Sequence, residues 1–528
     1  MVGASLAAAV LVYRGLIVPG GPLGWDESAH ALYGLLIAHD LRQLDWISLL
    51  YDTYRQVYWP PLHSWLAGAV FLFTAPSEAA ARIASVACLP PLALLLFLAA
   101  RRMSPEHPTT AGLLAAWLTL TSPAVITYSS LCMLEMPGAV AVALTLLAYI
   151  RLTSTGASDR WHALVGLGVV AAFFAKTNYG ILLGLALVVA EVTGARTGFR
   201  NLFSRRYFWT ALPVFLALAV WFAYPFKLRE TWEALVNQPF GVTDTYGGSA
   251  FLFYPRAWVR LSGSIWIAAA YLACTAAAVR RWRDPRIRLL VVLVALQFLI
   301  GELHQTKVVR HLWPVFPALF LLSSHVGASL IWSRTTPRWA VRGLVLALAL
   351  HAGTLPWRVP PPRSPEIDQT IVRELSPLLR PPGNALAILT WDYPCPPCLD
   401  WPLVVREAVI DVPQTGWVAQ AEHTAKVARA ASRWPVSRRL LAGLNRYARG
   451  GTARTYYGGD GPPSAFLREL IVEGDLDRLA VVGTGPGPPA ALEPLIRAAG
   501  LTPVSSRWVL DMSGKPTAPP LRLDIYRR

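Results

Sequence analysis

Charge is scarce in this sequence. Asp, Glu, Lys and Arg make up 15% of its 528 residues, against about 25% in an ordinary soluble domain. The deficit falls in the first two thirds, where apolar runs of roughly 17 to 22 residues, long enough to cross a bilayer, follow one another. A soluble globular protein is excluded and a polytopic α-helical membrane protein is implied. Cysteine is scarce too, at five residues, which excludes a disulfide scaffold. Cys88, Cys132 and Cys274 lie in apolar segments and read as packing residues. Acids are outnumbered, leaving a formal net charge of +17. The basic surplus sits in short loops between apolar runs, and no basic, aromatic-interleaved module accompanies it, so a nucleic-acid partner is excluded. A cleavable leader is not expected either. Residues 1–19 are apolar, with no basic stretch before them and no clear small-residue cleavage site, and are expected to form the first span.

The basic loops set a topology. Arg101–Arg102, Arg151 to Arg160, Arg196 to Arg206, Arg280 to Arg288 and Arg334 to Arg342 each fall between apolar segments. If all are cytoplasmic, the positive-inside rule implies about eleven spans. They run roughly over 2–19, 82–100, 111–128, 137–151, 162–175, 180–193, 208–225, 263–279, 287–303, 312–332 and 341–357. The N-terminus is then inside and everything after 358 outside. The stretch 61–73 breaks the alternation and is too short to cross, so it reads as an interfacial helix.

Two parts are expected: a membrane domain over 1–357 and an extracytoplasmic α/β domain over 358–528, joined by the stiff Val359-Pro360-Pro361-Pro362-Arg363 linker. Ala385 to Leu389, Leu479 to Val482, Trp508 to Asp511 and Leu521 to Tyr526 read as strands. Residues 366–379, 464–473 and 489–499 read as helices.

On this topology the outer face collects acids and bases from four separate loops. Asp26 and Glu27 lie beside a span, where acids are costly unless they face water, a cation or a substrate. Asp26 reads equally as the N-cap of a helix running to Leu41, with Glu27 favoured by the helix dipole, or as a general base toward an acceptor hydroxyl. Glu135, just before Pro137, suits a helix first turn. With Asp26 it also suits a divalent metal or the acceptor. Lys176 splits one long apolar stretch and reads either as a snorkelling lysine or as a phosphate ligand. In His304 to His311, Lys307 and Arg310 stand three apart, share a helix face, and suit an anion; arginine favours fork-like phosphate contacts.

Two further motifs carry less. Cys395-Pro396-Pro397-Cys398 is a lone CxxC, best read as a structural disulfide. Thioredoxin-type chemistry would need a strand-to-helix setting, which the flanking prolines do not suggest. Gly483-Thr484-Gly485-Pro486-Gly487-Pro488 tempts a dinucleotide reading. However, Pro488 stands where the third glycine belongs, and the prolines remove backbone donors, so a tight strand-to-helix turn is expected.

The arrangement resembles the GT-C superfamily of integral-membrane glycosyltransferases, in particular the family-39 type that holds protein O-mannosyltransferases and lipid A aminoarabinose transferases. Trp25-Asp26-Glu27-Ser28-Ala29-His30 resembles the acidic motif of the first external loop. Tyr58-Trp59-Pro60-Pro61-Leu62-His63, followed by Ser77-Glu78-Ala79-Ala80-Ala81-Arg82, resembles the double-proline stretch and its sequel. Leu134-Glu135-Met136-Pro137 resembles the second-loop acid, and Lys307-Val308-Val309-Arg310-His311-Leu312-Trp313-Pro314 a late basic segment. The resemblance covers roughly residues 20–330 and implies a GT-C fold. It also implies a polyprenyl-phosphate-linked sugar as donor, a hydroxyl acceptor on a glycolipid, cell-envelope glycan or protein, and transfer with inversion at the outer face of the plasma membrane. Asp26 would be the base, with Glu27 and Glu135 beside it; Lys176, Lys307, Arg310 and His311 would bind the donor phosphate. The chain departs from the pattern at Trp59, where some relatives carry a basic residue, and at Glu135, more often Asp. A transporter or lipid flippase is the alternative from another class. Charges gathered at one face, with no visible internal repeat, weigh against it.

Overall fold

The computed structural model describes residues 1–54, 56, 59–153, 158–194, 205–223, 227–228, 231–232, 253–303, 308–333, 338–359, 368–390, 395–415, 454–458, 465–485, 487–509 and 521–528. The chain divides into two compact units. The first comprises Met1–Pro19, Gln56–His63 and Arg82–Pro362; the second comprises Gly20–Arg55, Ser64–Ala81 and Arg363–Arg528.

The first unit is helical. Its elements are α1 (Val2–Val12, continued by a π turn to Ile17), most of α5 (Glu78–Val86), α6 (Leu89–Met103), α7 (Pro108–Thr121) and α8 (Pro123–Ser129). They continue with α9 (Glu135–Leu152), α10 (Arg160–Ala175), α11 (Thr177–Gly194), α12 (Arg205–Phe222), α13 (Phe253–Ser262) and α14 (Ile265–Val279). After α15 (Pro285–Leu303), a 3₁₀ turn over Val309–Val315 runs into α16 (Phe316–Ile331), and α17 (Arg338–Thr354) closes the set. Four stretches are long and apolar enough to cross a membrane: Glu78–Met103, Glu135–Leu152, Thr177–Gly194 and Val309–Ile331. The count among the described residues rises to six if the bent pairs α7–α8 (57°) and α13–α14 (104°) each make one span. Prolines and a serine explain the first bend. Ser122 caps α8 through Val125 N, and Pro123 cannot continue α7 because it lacks an N–H donor.

Close helix approach in this unit depends on small residues, as expected where lipid offers no hydrophobic contrast. A Cβ on Gly166 of α10 would stand 2.2 Å from the Thr210 carbonyl oxygen of α12, and one on Gly138 of α9 would meet the Tyr179 ring at 2.5 Å. Polar groups are satisfied locally: the Thr145 and Thr119 hydroxyls donate to carbonyls one turn back. Ser104 Oγ lies 2.7 Å from His325 Nδ1, whose Nε2 meets Arg281 at 2.8 Å.

The second unit joins an N-terminal helical layer to an α/β layer. The helices are α2 (Trp25–Gln43), α3 (Trp46–Tyr54), the bulk of α4 (Leu62–Phe73) and the start of α5. The α/β layer holds α18 (Asp368–Leu379), β1 (Ala385–Leu389), α19 (Pro396–Val405), β2 (Thr455–Tyr457), α20 (Ala465–Arg468, continued by a π turn to Glu473), β3 (Arg478–Gly483), α21 (Glu493–Ala498), β4 (Thr502–Val509) and β5 (Leu521–Arg527). The sheet order is β2-β1-β3-β5-β4; β1 lies parallel to β2 and β3, and β5 antiparallel to β3 and β4. The register sets Leu386 beside Leu479 and Val482 beside Leu523.

Alternation along the strands builds two cores. Ala385, Ala387, Leu389 and Val482 pack under α18 and α19 with Ile371, Leu375, Leu399 and Leu403. Leu386, Ile388, Leu479 and Val481 pack on the other face with Leu467, Ile471, Leu495 and Ile496. Parallel strands buried on both faces read as continuous apolar runs, which is why β1 and β3 stand out in the sequence. Helix α19 and the three-residue β2 escape that reading, because α19 carries prolines and β2 is short. Helix α19 follows β1, so Cys395 and Cys398 do stand in a strand-to-helix setting, contrary to the expectation from the prolines. Proline at the first helical positions removes only donors that have no intrahelical partner. The two cysteines are disulfide-bonded.

Candidate active site

In the first unit Glu135 opens α9 and is wholly buried. Its partner comes from the break between α10 and α11. Lys176 ends α10 with extended backbone (φ −158°, ψ 119°), and this turns its side chain away from the helix track. Lys176 Nζ lies 2.7 Å from Glu135 Oε1. Two residues that sequence reasoning did not select complete the surroundings. Tyr179, one turn into α11, places its ring 5.3 Å from the Lys176 ammonium and fits against Gly138 because no Cβ intervenes. Trp313, fully buried, donates from Nε1 to the Glu135 carbonyl at 2.8 Å and packs against Tyr128 with ring centroids 5.1 Å apart. The signals were present but weak: Tyr179 stands three residues after Lys176, and Trp313 three after Arg310.

The Trp313 bond ties the 3₁₀ turn Val309–Val315 to the start of α9. Arg310 and His311 ride on that turn, and Arg310 is within electrostatic reach of the Tyr179 hydroxyl, as are Glu135 and Tyr128. Glu135 Oε2 and the Tyr179 hydroxyl are both buried and have no hydrogen-bond partner among the described residues. Buried polar atoms in this condition are rare in folded proteins. The carboxylate, ammonium and phenol from α9, the α10–α11 break and α11 therefore form one constellation, and the 3₁₀ turn that carries Arg310 and His311 is tied to it through Trp313. Of the residues expected here, Glu135, Lys176, Arg310 and His311 belong to it or adjoin it; Lys307 lies outside the described residues.

Asp26 and Glu27 belong to the second unit. The N-cap of α2 is Gly24, two residues before Asp26, and the helix runs to Gln43. Glu27 performs the capping: its Oε2 accepts from the Gly24 N–H at 3.0 Å, a contact that satisfies a donor at the helix start. Glu27 is buried, and Asp26 beside it is partly exposed. Ser28 Oγ, donating to the Leu23 carbonyl at 3.2 Å, further fixes the turn.

Among the described residues no cluster of side chains suits a divalent metal. The Glu135 carboxylate is engaged by an ammonium, and among the described residues no three His, Cys, Asp or Glu side chains cluster.

Residues 59–224 match the family model described as dolichyl-phosphate-mannose-protein mannosyltransferase. No curated protein sequence matches the chain. By fold, the chain is similar to the ArnT of Cupriavidus metallidurans solved with undecaprenyl phosphate, at a TM-score of 0.58 and 16% identity, covering 99% of this chain and 97% of that one. It is also similar to the apo oligosaccharyltransferase of Archaeoglobus fulgidus, at a TM-score of 0.53 and 12% identity, covering 91% and 69%. The protein is thus a multi-helix membrane protein of GT-C architecture. The chain shares the fold of these solved structures along nearly its whole length, and residues 59–224 carry the family match.

Proposed function

We propose that this protein transfers a sugar from a polyprenyl-phosphate carrier to a hydroxyl acceptor. The observation that carries the reading is the Lys176–Glu135 pair with Tyr179 beside it and the Arg310-bearing turn tied to it through Trp313, in a fold whose solved relatives hold undecaprenyl phosphate or dolichol phosphate. A glycosyl phosphate leaves its sugar by building negative charge on the phosphate. Preorganised cations in a site of low dielectric stabilise that charge, at about 3 kcal/mol per donor in comparable oxyanion sites. Lys176 and Arg310 would supply it, assisted by His311 and Lys307. An ammonium has three donors and so can serve more than one oxygen. Glu135 would hold Lys176 in place and keep the buried charge paired until the phosphate arrives.

Asp26 would take the proton from the acceptor hydroxyl as its oxygen attacks the anomeric carbon, with inversion. Glu27, through its contact to Gly24 N, would keep the helix start rigid. The full architecture on this reading has about eleven spans over residues 1–357, with the α/β domain over 358–528 outside the plasma membrane. The acceptor is a glycolipid, envelope glycan or protein. The test is sugar transfer from a synthetic undecaprenyl-phosphate sugar by the purified full-length protein in liposomes. Asp26→Asn should abolish turnover while expression and membrane insertion persist. Wild-type-like turnover in that variant would remove Asp26 as the base.

A further inference from the structure

One residue of the Ser77-Glu78 pair that follows α4 makes contacts that the proposed chemistry does not use. Ser77 caps α5, its Oγ accepting from Ala80 N at 3.1 Å. This leaves the Glu78 carboxylate to reach out of the helix start. Its Oε1 accepts from Arg406 Nε at 2.8 Å and from Trp401 Nε1 at 3.4 Å, and stands 2.6 Å from Arg406 Nη2. Three donors from α19 and its C-cap thus converge on one oxygen, and guanidinium fork contacts of this kind fix orientation as well as distance. Trp401 is almost fully buried and lies against Phe71 of α4, ring centroids 6.1 Å apart.

Of the elements so joined, α19 and α4 both pack against α2. Helix α2 packs against α19. It also meets α4 at backbone distance: a Cβ on Gly34 would stand 2.7 Å from the Ala67 Cβ, and one on Gly68 would stand 2.8 Å from Ile37. Arg42 near the end of α2 donates to the Phe71 carbonyl. Helix α2 is therefore packed against both α4 and a helix of the α/β layer, and Glu78 ties the start of α5 to that same helix through Arg406 and Trp401. The acidic start of α2 owes its position to the C-terminal part of the chain as much as to its own neighbours.

We infer that Glu78 and Arg406 are positioning residues for Asp26: their clamp sets how rigidly the α2 carboxylate is presented, and opening it slows turnover without weakening donor binding. The inference rests on the reading of Asp26 as the base. Small misplacements of a reacting group are costly in rate, so Glu78→Gln, which keeps the shape and removes the charge, should lower kcat roughly tenfold and leave KM for the polyprenyl-phosphate donor within about twofold. Arg406→Lys, which keeps the charge and loses the fork, should fall between that variant and the wild type. The reciprocal Glu78→Arg/Arg406→Glu protein should recover part of the lost kcat.

The experiment uses full-length protein in nanodiscs, with hydrogen–deuterium exchange of residues 25–32 measured alongside the kinetics. Faster exchange there, with the kcat-only loss and the partial rescue, supports the clamp. Unchanged exchange and kcat in Glu78→Gln overturns it, as does a loss confined to donor KM, or faster exchange with kcat untouched. If the wild type itself transfers no sugar, the functional reading fails. The exchange data then still decide whether Glu78 holds α2.

Discussion

Lys176 Nζ and Glu135 Oε1 stand 2.7 Å apart with the carboxylate wholly buried and the lysine side chain 14% exposed. The two residues come from different helix ends that the sequence separates by 41 positions. Breaking a buried pair by removing one partner leaves an uncompensated charge, which costs about 3 to 5 kcal/mol. Lys176→Met is therefore expected to lower thermal stability markedly, and Lys176→Met/Glu135→Leu to recover much of it. Sugar transfer should fall by about 10² or more in both, since the phosphate loses its cation. Thermal unfolding in detergent and single-turnover assays separate the two effects.

Tyr179 offers the opposite dissociation. Its hydroxyl is buried without a hydrogen-bond partner among the described residues, so Tyr179→Phe removes a polar atom that contributes nothing to the resting fold and whose burial is unfavourable. Stability is expected to hold or rise slightly. If the hydroxyl meets the donor, kcat should drop by roughly tenfold, the value of one neutral hydrogen bond at a reacting group. Unchanged turnover would remove Tyr179 from the site.

Far from that constellation, the Ser104–His325–Arg281 chain links the end of α6, the middle of α16 and the loop between α14 and α15. His325→Leu should cost about 1 to 3 kcal/mol, because the buried Ser104 hydroxyl loses its partner, and should leave turnover per folded molecule unchanged. A large kinetic effect with normal melting would contradict this structural role.

Asp284 supplies a pH test. Burial alone would raise its pKa, but the hydrogen bonds and charge of Arg286 outweigh burial and hold the carboxyl below its ordinary value of 3.8. A depressed folded-state value means that the contribution to stability is fully present above the ordinary value and is lost as pH falls through the lower, folded one. Wild-type protein should therefore lose more melting temperature between about pH 5 and pH 3 than Asp284→Asn does. An equal loss in the two proteins would show that Asp284 contributes nothing in this range.

Much of the architecture was legible from residue patterns. The apolar runs corresponding to α6, α9, α11 and α16 are long enough to announce themselves, and the strands Ala385–Leu389 and Arg478–Gly483 are buried on both faces and so read as unbroken apolar segments. Glu135, Lys176 and Arg310 were visible as charges misplaced in apolar surroundings. What was not legible depends on contacts distant in sequence. The capping role of Glu27 follows from Gly24 rather than Asp26 starting the helix. Tyr179 and Trp313 look like ordinary core aromatics until Gly138 and the Glu135 carbonyl are seen beside them.

The sequence by itself determined the solvent for which this chain is built, because hydrophobic run length and loop charge are local properties that a bilayer reads directly. It also determined which few residues bear charge where charge is costly. Tertiary structure decided the partnerships. Lys176 faces Glu135 because the chain breaks helical geometry between α10 and α11. Helix α2 is grouped with the C-terminal α/β layer because it packs against α19, to which Glu78 also ties the start of α5. Ion pairs and close backbone approaches are made in space, at ångström tolerances, and a one-dimensional pattern carries no distances.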